Sequence, residues 1–192
     1  MTEDSLDTSP FENDERRIRT TRLVMRKVIA ADAAEIARQA GDKQIAMMTA
    51  RIPHPYSLAD AKAFIAKPGD EFVRAVTLVS NGCLVGVAGL KPHRDGRAVE
   101  LGYWFGADHW GRGYGTEAAQ AFVDFAFVSS DIECVWARCR VINAASRRVL
   151  EKCGFQMRRM GILDSVCAGR VSTEDYHLDR GAWTALKAWG GK

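Results

Sequence analysis

Three glycines at alternate positions most constrain the fold of this 192-residue chain: Gly111, Gly113 and Gly115 in the stretch HWGRGYGTEA (109–118). Glycine at that density costs conformational entropy, so the segment needs positive φ angles or a ligand close to its backbone. The spacing of apolar residues predicts a helix directly afterwards, over 116–128. A helix N-terminus gathers unpaired amide donors and the positive end of the helix dipole. The pattern therefore predicts a phosphate-binding loop.

The remaining periodicity predicts one α/β domain. Apolar runs bounded by turn residues predict seven strands, at 20–28, 71–79, 83–91, 98–105, 134–141, 155–163 and 171–180. Capped segments with helical spacing predict four helices, at 30–41, 58–67, 116–128 and 144–153. We expect a mixed, mostly antiparallel central sheet of six to seven strands, flanked by about four helices, over residues 20–192. The polar, acid-rich residues 1–19 are expected to form a flexible N-terminal arm.

Composition limits the classes of function. The formal net charge is only +3, whereas nucleic-acid binding calls for a clustered basic face, so no nucleic-acid partner is expected. The chain has no signal-peptide pattern and no apolar run of membrane-spanning length, which predicts a cytoplasmic protein without membrane contact. The five cysteines, an odd number, favour reduced thiols, and the four histidines lack ligand spacing, so no metal is expected.

The stretch GYGTEA (113–118) also satisfies the glycine pattern of dinucleotide-binding domains. In those domains the glycines directly follow the first strand, whereas residues 106–110 intervene here. They also need an acidic residue at the end of the next strand, where this chain has Arg138 and Arg140. An NAD-dependent oxidoreductase is therefore only a weak alternative.

Several motifs in this order resemble the GNAT acyltransferase superfamily, and specifically its RimJ/RimL-like branch of ribosomal-protein N-acetyltransferases. The motifs are TTRLVMR (20–26), IPHPYSLADAKAFI (52–65), VELGYWF (99–105), HWGRGYGTEA (109–118), NAASRRVLEKCGF (143–155) and YHLDRGAW (176–183). The match covers nearly the whole chain from residue 20. It implies transfer of an acetyl group from acetyl-coenzyme A to an amine.

The resemblance also implies where coenzyme A binds. The glycine loop (residues 110–116) would wrap its pyrophosphate, with Arg112 either adding a charged contact or pointing to solvent. The strand before the loop would separate from the next strand, so that its unpaired backbone binds the pantetheine arm. The expected coenzyme-binding residues are Tyr103, Trp104, Phe105, Trp110, Gly111, Arg112, Gly113, Tyr114, Gly115, Thr116, Asn143 and Ser146.

Glu100 is the candidate base for the acceptor amine, acting directly or through water. Deprotonating an α-amine of pKa near 8 costs only about 1 kcal/mol at pH 7, against roughly 4.6 kcal/mol for a lysine. An α-amine therefore needs only a modest base. The two-residue period of a strand places Glu100 on the same face as Gly102 and Trp104. The alternative is a solvated carboxylate or a salt-bridge partner.

Ser146 is the candidate that returns a proton to the coenzyme A thiolate, because it matches the family's serine at this step. It could instead only position the sulfur, or bond back to the carbonyl of Ile142. Asn143 is expected to cap the helix over 144–153 and to contact the pantetheine. The tyrosine acid that many superfamily members place near this point is absent, since Leu150 occupies its position.

The acceptor is the least constrained part of the prediction. By resemblance its slot lies between the first helices and the closing strands, with His54, Tyr56 and Trp104 along it, although packing explains each residue equally well. A protein or peptide N-terminal α-amine is favoured, and a small-molecule amine or an aminoglycoside remains open. A sensor that binds acetyl-coenzyme A without turnover is a further alternative. Both a monomer and a homodimer are compatible with the sequence.

Overall fold

An eight-stranded sheet organises the residues that the computed structural model describes, which are residue 11 and residues 15–66, 71–93 and 96–190. The strands lie in the order β1-β2-β3-β4-β5-β6-β8-β7, and only β5 and β6 pair in parallel. The predicted mixed, mostly antiparallel sheet is confirmed. Its strands are β1 (Ile18–Arg19), β2 (Leu23–Lys27), β3 (Phe72–Leu78), β4 (Leu84–Pro92), β5 (Ala98–Phe105), β6 (Cys134–Arg140), β7 (Gln156–Ser165) and β8 (Gly169–Asp179).

Six α-helices lie within the described ranges, where the sequence predicted about four. They are α1 (Ala33–Ala40), α2 (Lys43–Met48), α3 (Leu58–Ala66), α4 (Tyr114–Ser129), α5 (Ala144–Lys152) and α6 (Arg180–Gly190). The missed helix α2 has only six residues, too few to show a helical period. The missed helix α6 follows β8 without a loop, and its start is marked by Asp179, whose carboxylate accepts the amide of Ala182 at 2.8 Å.

Part of the expected N-terminal arm lies within the described residues. The ring of Phe11 is buried, with its centroid 5.5 Å from that of Phe72 and 5.4 Å from that of Phe125. The two residues of β1 pair antiparallel with β2. These residues pack on the domain, while residues 1–10 and 12–14 lie outside the described residues, so the flexible arm stays a prediction.

Two hydrophobic clusters lie on opposite faces of the sheet. The larger one joins the sheet to α4, and we call this side the α4 face; it receives Val99 and Leu101 of β5. The smaller one joins the sheet to α1 and α3, and we call this side the α1 face; Trp104 packs there. Since neighbouring strand residues point to opposite faces, Glu100 and Gly102 share the α1 face with Trp104, as predicted.

The parallel pair β5–β6 separates after three residues. The register joins Ala98 to Cys134, Val99 to Val135 and Glu100 to Trp136, and no further. Each strand remains paired along its other edge, β5 with β4 as far as Phe105 and β6 with β8. The result is a wedge-shaped gap, the β5–β6 opening, whose walls are the carboxyl-terminal halves of β5 and β6. This is the separation that the resemblance implied.

The hairpin of β7 and β8 is bonded to the segment that follows α2. The amide of Val166 donates to the carbonyl of Ala50 at 2.9 Å, and the hydroxyl of Ser165 donates to the carbonyl of Thr49 at 2.9 Å. At the end of β6, the guanidinium of Arg140 donates to the carbonyl of Met47. These bonds bring α2 and the hairpin together beside the β5–β6 opening.

We expect Phe122→Ala to lower the free energy of unfolding by about 3–5 kcal/mol, because the side chain is fully buried and leaves a cavity. Urea denaturation followed by circular dichroism measures this change. Val128→Ala on the same helix is the control: its side chain is 74% exposed, and a surface substitution shifts stability by about 0.5 kcal/mol or less. Equal effects of the two substitutions would contradict the placement of α4.

Candidate active site

The glycine loop leads from β5 into α4 at the wide end of the β5–β6 opening. Gly111 and Gly113 both have left-handed backbone, with φ of 74° and 81°. No hydrogen bond within the described residues is donated by the backbone amides of 111–116. These amides lie at the N-terminus of a 16-residue helix, where the helix dipole is positive. The loop therefore has the donors that an anion needs.

The other residues of the loop hold its shape. The indole N–H of Trp110 donates to the carbonyl of Phe105 at 2.7 Å and closes the turn, although the side chain is about half exposed. A Cβ on Gly115 would lie 3.4 Å from Val149 and 3.7 Å from the Phe105 ring, which are ordinary packing distances, so the start of α4 packs against α5 and β5 without requiring a glycine here. The carbonyl of Thr116 accepts the thiol of Cys153 at 3.7 Å.

Three residues meet at the loop. Arg112 and Tyr114 were predicted to bind coenzyme A, and Arg22 was not. Arg112 is exposed, and its carbonyl accepts Nη1 of Arg22 at 2.9 Å. The same guanidinium lies over the ring of Tyr114, 5.0 Å from its centroid. Sequence reasoning missed Arg22, because the contact joins residues 90 positions apart. A direct contact of Arg112 with a ligand stays a prediction.

Glu100 lies at the narrow end of the β5–β6 opening. It lines a cavity of about 220 Å³ together with Lys91, Pro92, His93 and Trp136. Its carboxylate makes no hydrogen bond and no close ion pair with any described residue, while the charges of Arg138, Lys91 and Arg51 act on it from a longer distance. Burial raises the pKa of Glu100 above the usual glutamate value, even though nearby cations act to lower it.

An ion cluster lies beside Glu100 on the α1 face. The carboxylate of Asp175 is only 1% exposed and accepts Arg138 at 2.6 and 3.0 Å and Arg159 at 2.8 Å. Burial acts to raise the pKa of Asp175, but the two guanidinium groups hold it below its usual value. This carboxylate is therefore ionised and firmly held by two strands.

Further cations surround the same cavity. Arg51 donates to Glu71 at 2.6 and 3.1 Å, and the ammonium of Lys91 lies 3.8 Å from Glu71. Three cations act on Glu100: Arg51, Lys91 and Arg138. Arg51 and Arg138 are themselves paired with Glu71 and Asp175, so the charges around Glu100 nearly balance.

Ser146 lies on the α4 face, across β5 from Glu100. Its Oγ is 3.0 Å from the hydroxyl of Tyr103. Burial raises the pKa of Tyr103, so that its hydroxyl stays protonated. The side chain of Asn143 accepts the amide of Ser146 at 3.0 Å, which confirms the predicted helix cap. The hydroxyl of Tyr103 thus lies next to Ser146, although the position of the family's usual tyrosine holds Leu150.

Residues 22–156 match the family model described as an acetyltransferase (GNAT) domain. The chain belongs to the GNAT acetyltransferase family. It is an acetyl-coenzyme A-dependent N-acetyltransferase, as the motifs predicted, and the weak alternative of an NAD-dependent oxidoreductase is not supported.

The sequences and structures of known proteins are consistent with membership of this family. The uncharacterized N-acetyltransferase YnaD of Bacillus subtilis is 31% identical over 147 residues, which are 75% of this chain and 84% of YnaD. A GNAT-family acetyltransferase structure from Bacillus anthracis is 25% identical with a TM-score of 0.74, covering 85% of this chain and 98% of that chain. The ribosomal-protein-S5-alanine acetyltransferase of Vibrio fischeri has the same fold, with 16% identity, a TM-score of 0.73 and coverage of 88% and 98%.

In this GNAT acetyltransferase the three predicted acceptor residues do not line the cavity beside Glu100. Tyr56 and Trp104 pack in the cluster between the sheet, α1 and α3, and His54 is exposed. Of the residues that do line it, Trp136 is the cross-strand partner of Glu100. Sequence reasoning missed it because the register between β5 and β6 is set by tertiary structure. The role of the three predicted residues stays a prediction.

Three further observations concern the described residues alone. They contain no group of three or more His, Cys, Asp or Glu side chains that could hold a metal ion. No helix among them has the length and apolar character needed to cross a bilayer. No disulfide joins any of the five cysteines.

We expect Glu100→Gln to raise the free energy of unfolding of this acetyltransferase at pH 7. Since the pKa of Glu100 is raised in the folded state, ionisation costs stability, and the cost grows as the pH rises through the folded pKa. The gain should therefore vanish at pH values below the unfolded pKa of a glutamate. Urea denaturation at several pH values measures it.

The matched control is Glu71→Gln, which removes the partner of Arg51. We expect this variant to lose stability at pH 7. A loss of stability in Glu100→Gln as well would show that Glu100 is an ion-pair partner and not a desolvated base.

Proposed function

We propose that this enzyme transfers an acetyl group from acetyl-coenzyme A to the N-terminal α-amine of a protein or peptide, by direct attack in a ternary complex. The β5–β6 opening supports the proposal most strongly. It begins at Glu100, a desolvated carboxylate, and ends at the glycine loop with its unpaired amides. One gap thus joins a base to an anion site.

The residues present fit coenzyme A. The amides of 111–116 would hold the pyrophosphate, and the edge of β5 left unpaired by β6 would bind the pantetheine arm. A Cβ built on Gly102 or on Gly111 would meet no atom within 4 Å, so there is open space at both ends of this path. A fixed backbone amide facing the thioester carbonyl would stabilise the developing oxyanion.

Glu100 would accept the proton of the acceptor amine, directly or through water. Its raised pKa brings the carboxylate closer to the pH at which the enzyme works, which makes it a better base. Its position in a cavity of about 220 Å³ gives an amine room to approach the carboxylate.

Ser146 would return a proton to the coenzyme A thiolate on the opposite face of β5. The hydroxyl of Tyr103 would donate a hydrogen bond to Ser146 Oγ as that proton leaves, and Ser146 would regain its proton from solvent. Because a thiol has a pKa of about 8.5, the thiolate is not a difficult leaving group, and the loss of Ser146 would have a modest effect.

The cysteines support direct transfer instead of an acetyl-cysteine intermediate. Burial raises the pKa of Cys139 to about 11 and that of Cys153 to about 12. A thiol is a nucleophile only as its thiolate, so neither of these buried groups is activated.

The cost of forming a neutral amine favours a peptide N-terminus as the acceptor. An α-amine reaches its neutral form at much lower cost than a lysine, so a modest base such as Glu100 suffices. The name of the Vibrio fischeri relative also specifies a protein alanine, although only the fold connects that protein to this one.

We expect short peptides with a free N-terminus to be acetylated, whereas the same peptide with a blocked N-terminus and one lysine is not. Release of the coenzyme A thiol, with mass spectrometry of the product, measures each reaction. Faster acetylation of an aminoglycoside or of the lysine would contradict the proposed acceptor.

The pH dependence tests Glu100. We expect kcat/KM to rise with pH in two steps, one at the raised pKa of Glu100 and one near pH 8 from the acceptor amine. Glu100→Gln should lose the lower step and about 100-fold in kcat. Thermal stabilisation by coenzyme A should be unchanged in this variant. If kcat/KM of the unsubstituted enzyme does not change between pH 6 and 9, Glu100 is ruled out as the base.

A further inference from the structure

Far from Glu100, the turn between β1 and β2 contacts the first turn of α4, next to the glycine loop. The carboxylate of Glu117, in the first turn of α4, accepts three hydrogen bonds from the turn between β1 and β2. They come from the hydroxyl of Thr20 at 2.6 Å, the amide of Arg22 at 3.0 Å and Nε of Arg22 at 2.7 Å. The first turn of α4 is therefore fixed by residues more than 90 positions earlier.

The guanidinium of Arg22 also reaches the glycine loop itself. Its Nη1 holds the carbonyl of Arg112, the residue between the two left-handed glycines. Its Nη2 lies 3.3 Å from the point that a Cβ on Gly113 would occupy. A planar fork with several donors can make both bonds at once, which a lysine ammonium cannot do with the same geometry.

The charge of Glu117 explains why the guanidinium is needed at this point. Burial acts to raise the pKa of Glu117, but the hydrogen bonds from Thr20 and Arg22 and the charge of Arg22 hold it below its usual value. A carboxylate here stabilises the helix N-terminus. It also repels a pyrophosphate bound at the same helix end, unless a cation cancels its charge.

We propose that Arg22 is a positioning residue for coenzyme A, which fixes the glycine loop through the carbonyl of Arg112 and neutralises Glu117 beside the pyrophosphate. The inference rests on the proposed use of this loop for coenzyme A. It adds a residue outside the glycine loop to the coenzyme site, and it gives the TTR sequence at 20–22 a function.

Comparing KM for two acetyl donors distinguishes this role from a general structural one. Acetyl-pantetheine has the same thioester as acetyl-coenzyme A but lacks the nucleotide and its pyrophosphate. We expect Arg22→Gln to raise KM for acetyl-coenzyme A about tenfold, as expected for a lost charge-assisted interaction, with kcat nearly unchanged. KM for acetyl-pantetheine should stay the same. Arg22→Lys should show an intermediate effect.

The double variant Arg22→Gln/Glu117→Gln tests the neutralisation of charge. Because no uncompensated carboxylate remains, KM for acetyl-coenzyme A should recover part of the loss seen in the single variant. Arg26→Gln is the matched control, since it breaks a similar ion pair with Asp32 that lies away from the loop. It should leave the ratio of the two KM values unchanged.

An equal rise of KM for both donors, or no rise for either, would overturn the role of Arg22. Calorimetric Kd values for coenzyme A and for pantetheine make the test independent of turnover. A wild-type protein that binds coenzyme A but transfers no acetyl group would refute the proposed function, while the Kd values would still decide the role of Arg22. A Kd for coenzyme A that is the same in wild type and Arg22→Gln would refute the inference alone.

Discussion

The separation of β5 from β6 is the feature on which the rest of the site depends. Both strands stay anchored along their outer edges, so the gap between them is held open by the sheet and is not a frayed end. Backbone groups that face such a gap need hydrogen-bond partners, and an extended ligand with amide groups can supply them. The glycine loop follows where β5 ends, so the proposed anion site and the gap form one continuous path.

The alternation of side chains along β5 divides the chemistry between two faces. Glu100 points to the α1 face, near Arg51, Lys91 and Arg138, whereas Tyr103 points to the α4 face and meets Ser146. Under the proposed mechanism, a proton would be taken up on one side of the strand and returned on the other. Glu100 and Tyr103 are three positions apart, an odd offset, which puts them on opposite faces.

Local patterns in the sequence predicted much of this site. The glycine spacing located the loop, the two-residue period placed Glu100, and Asn143 marked the start of α5. What the sequence did not reveal depends on contacts across strands or over long separations. Trp136 lies beside Glu100 through a register set by the whole sheet, and Arg22 reaches Glu117 across 95 positions. Helix α2 is too short to show a helical period, and helix α6 follows β8 without a loop that would mark its start.

The bonds from the β7–β8 hairpin to the segment after α2 have a consequence for how such enzymes diversify. The proposed coenzyme path uses β5, the glycine loop and the start of α5. The proposed acceptor side instead joins two distant segments: the amide of Val166 bonds the carbonyl of Ala50, while Ser165 and Arg140 bond through their side chains. Because the hairpin is separate from the proposed coenzyme path, changes in the hairpin would alter the acceptor side while the donor side stays in place.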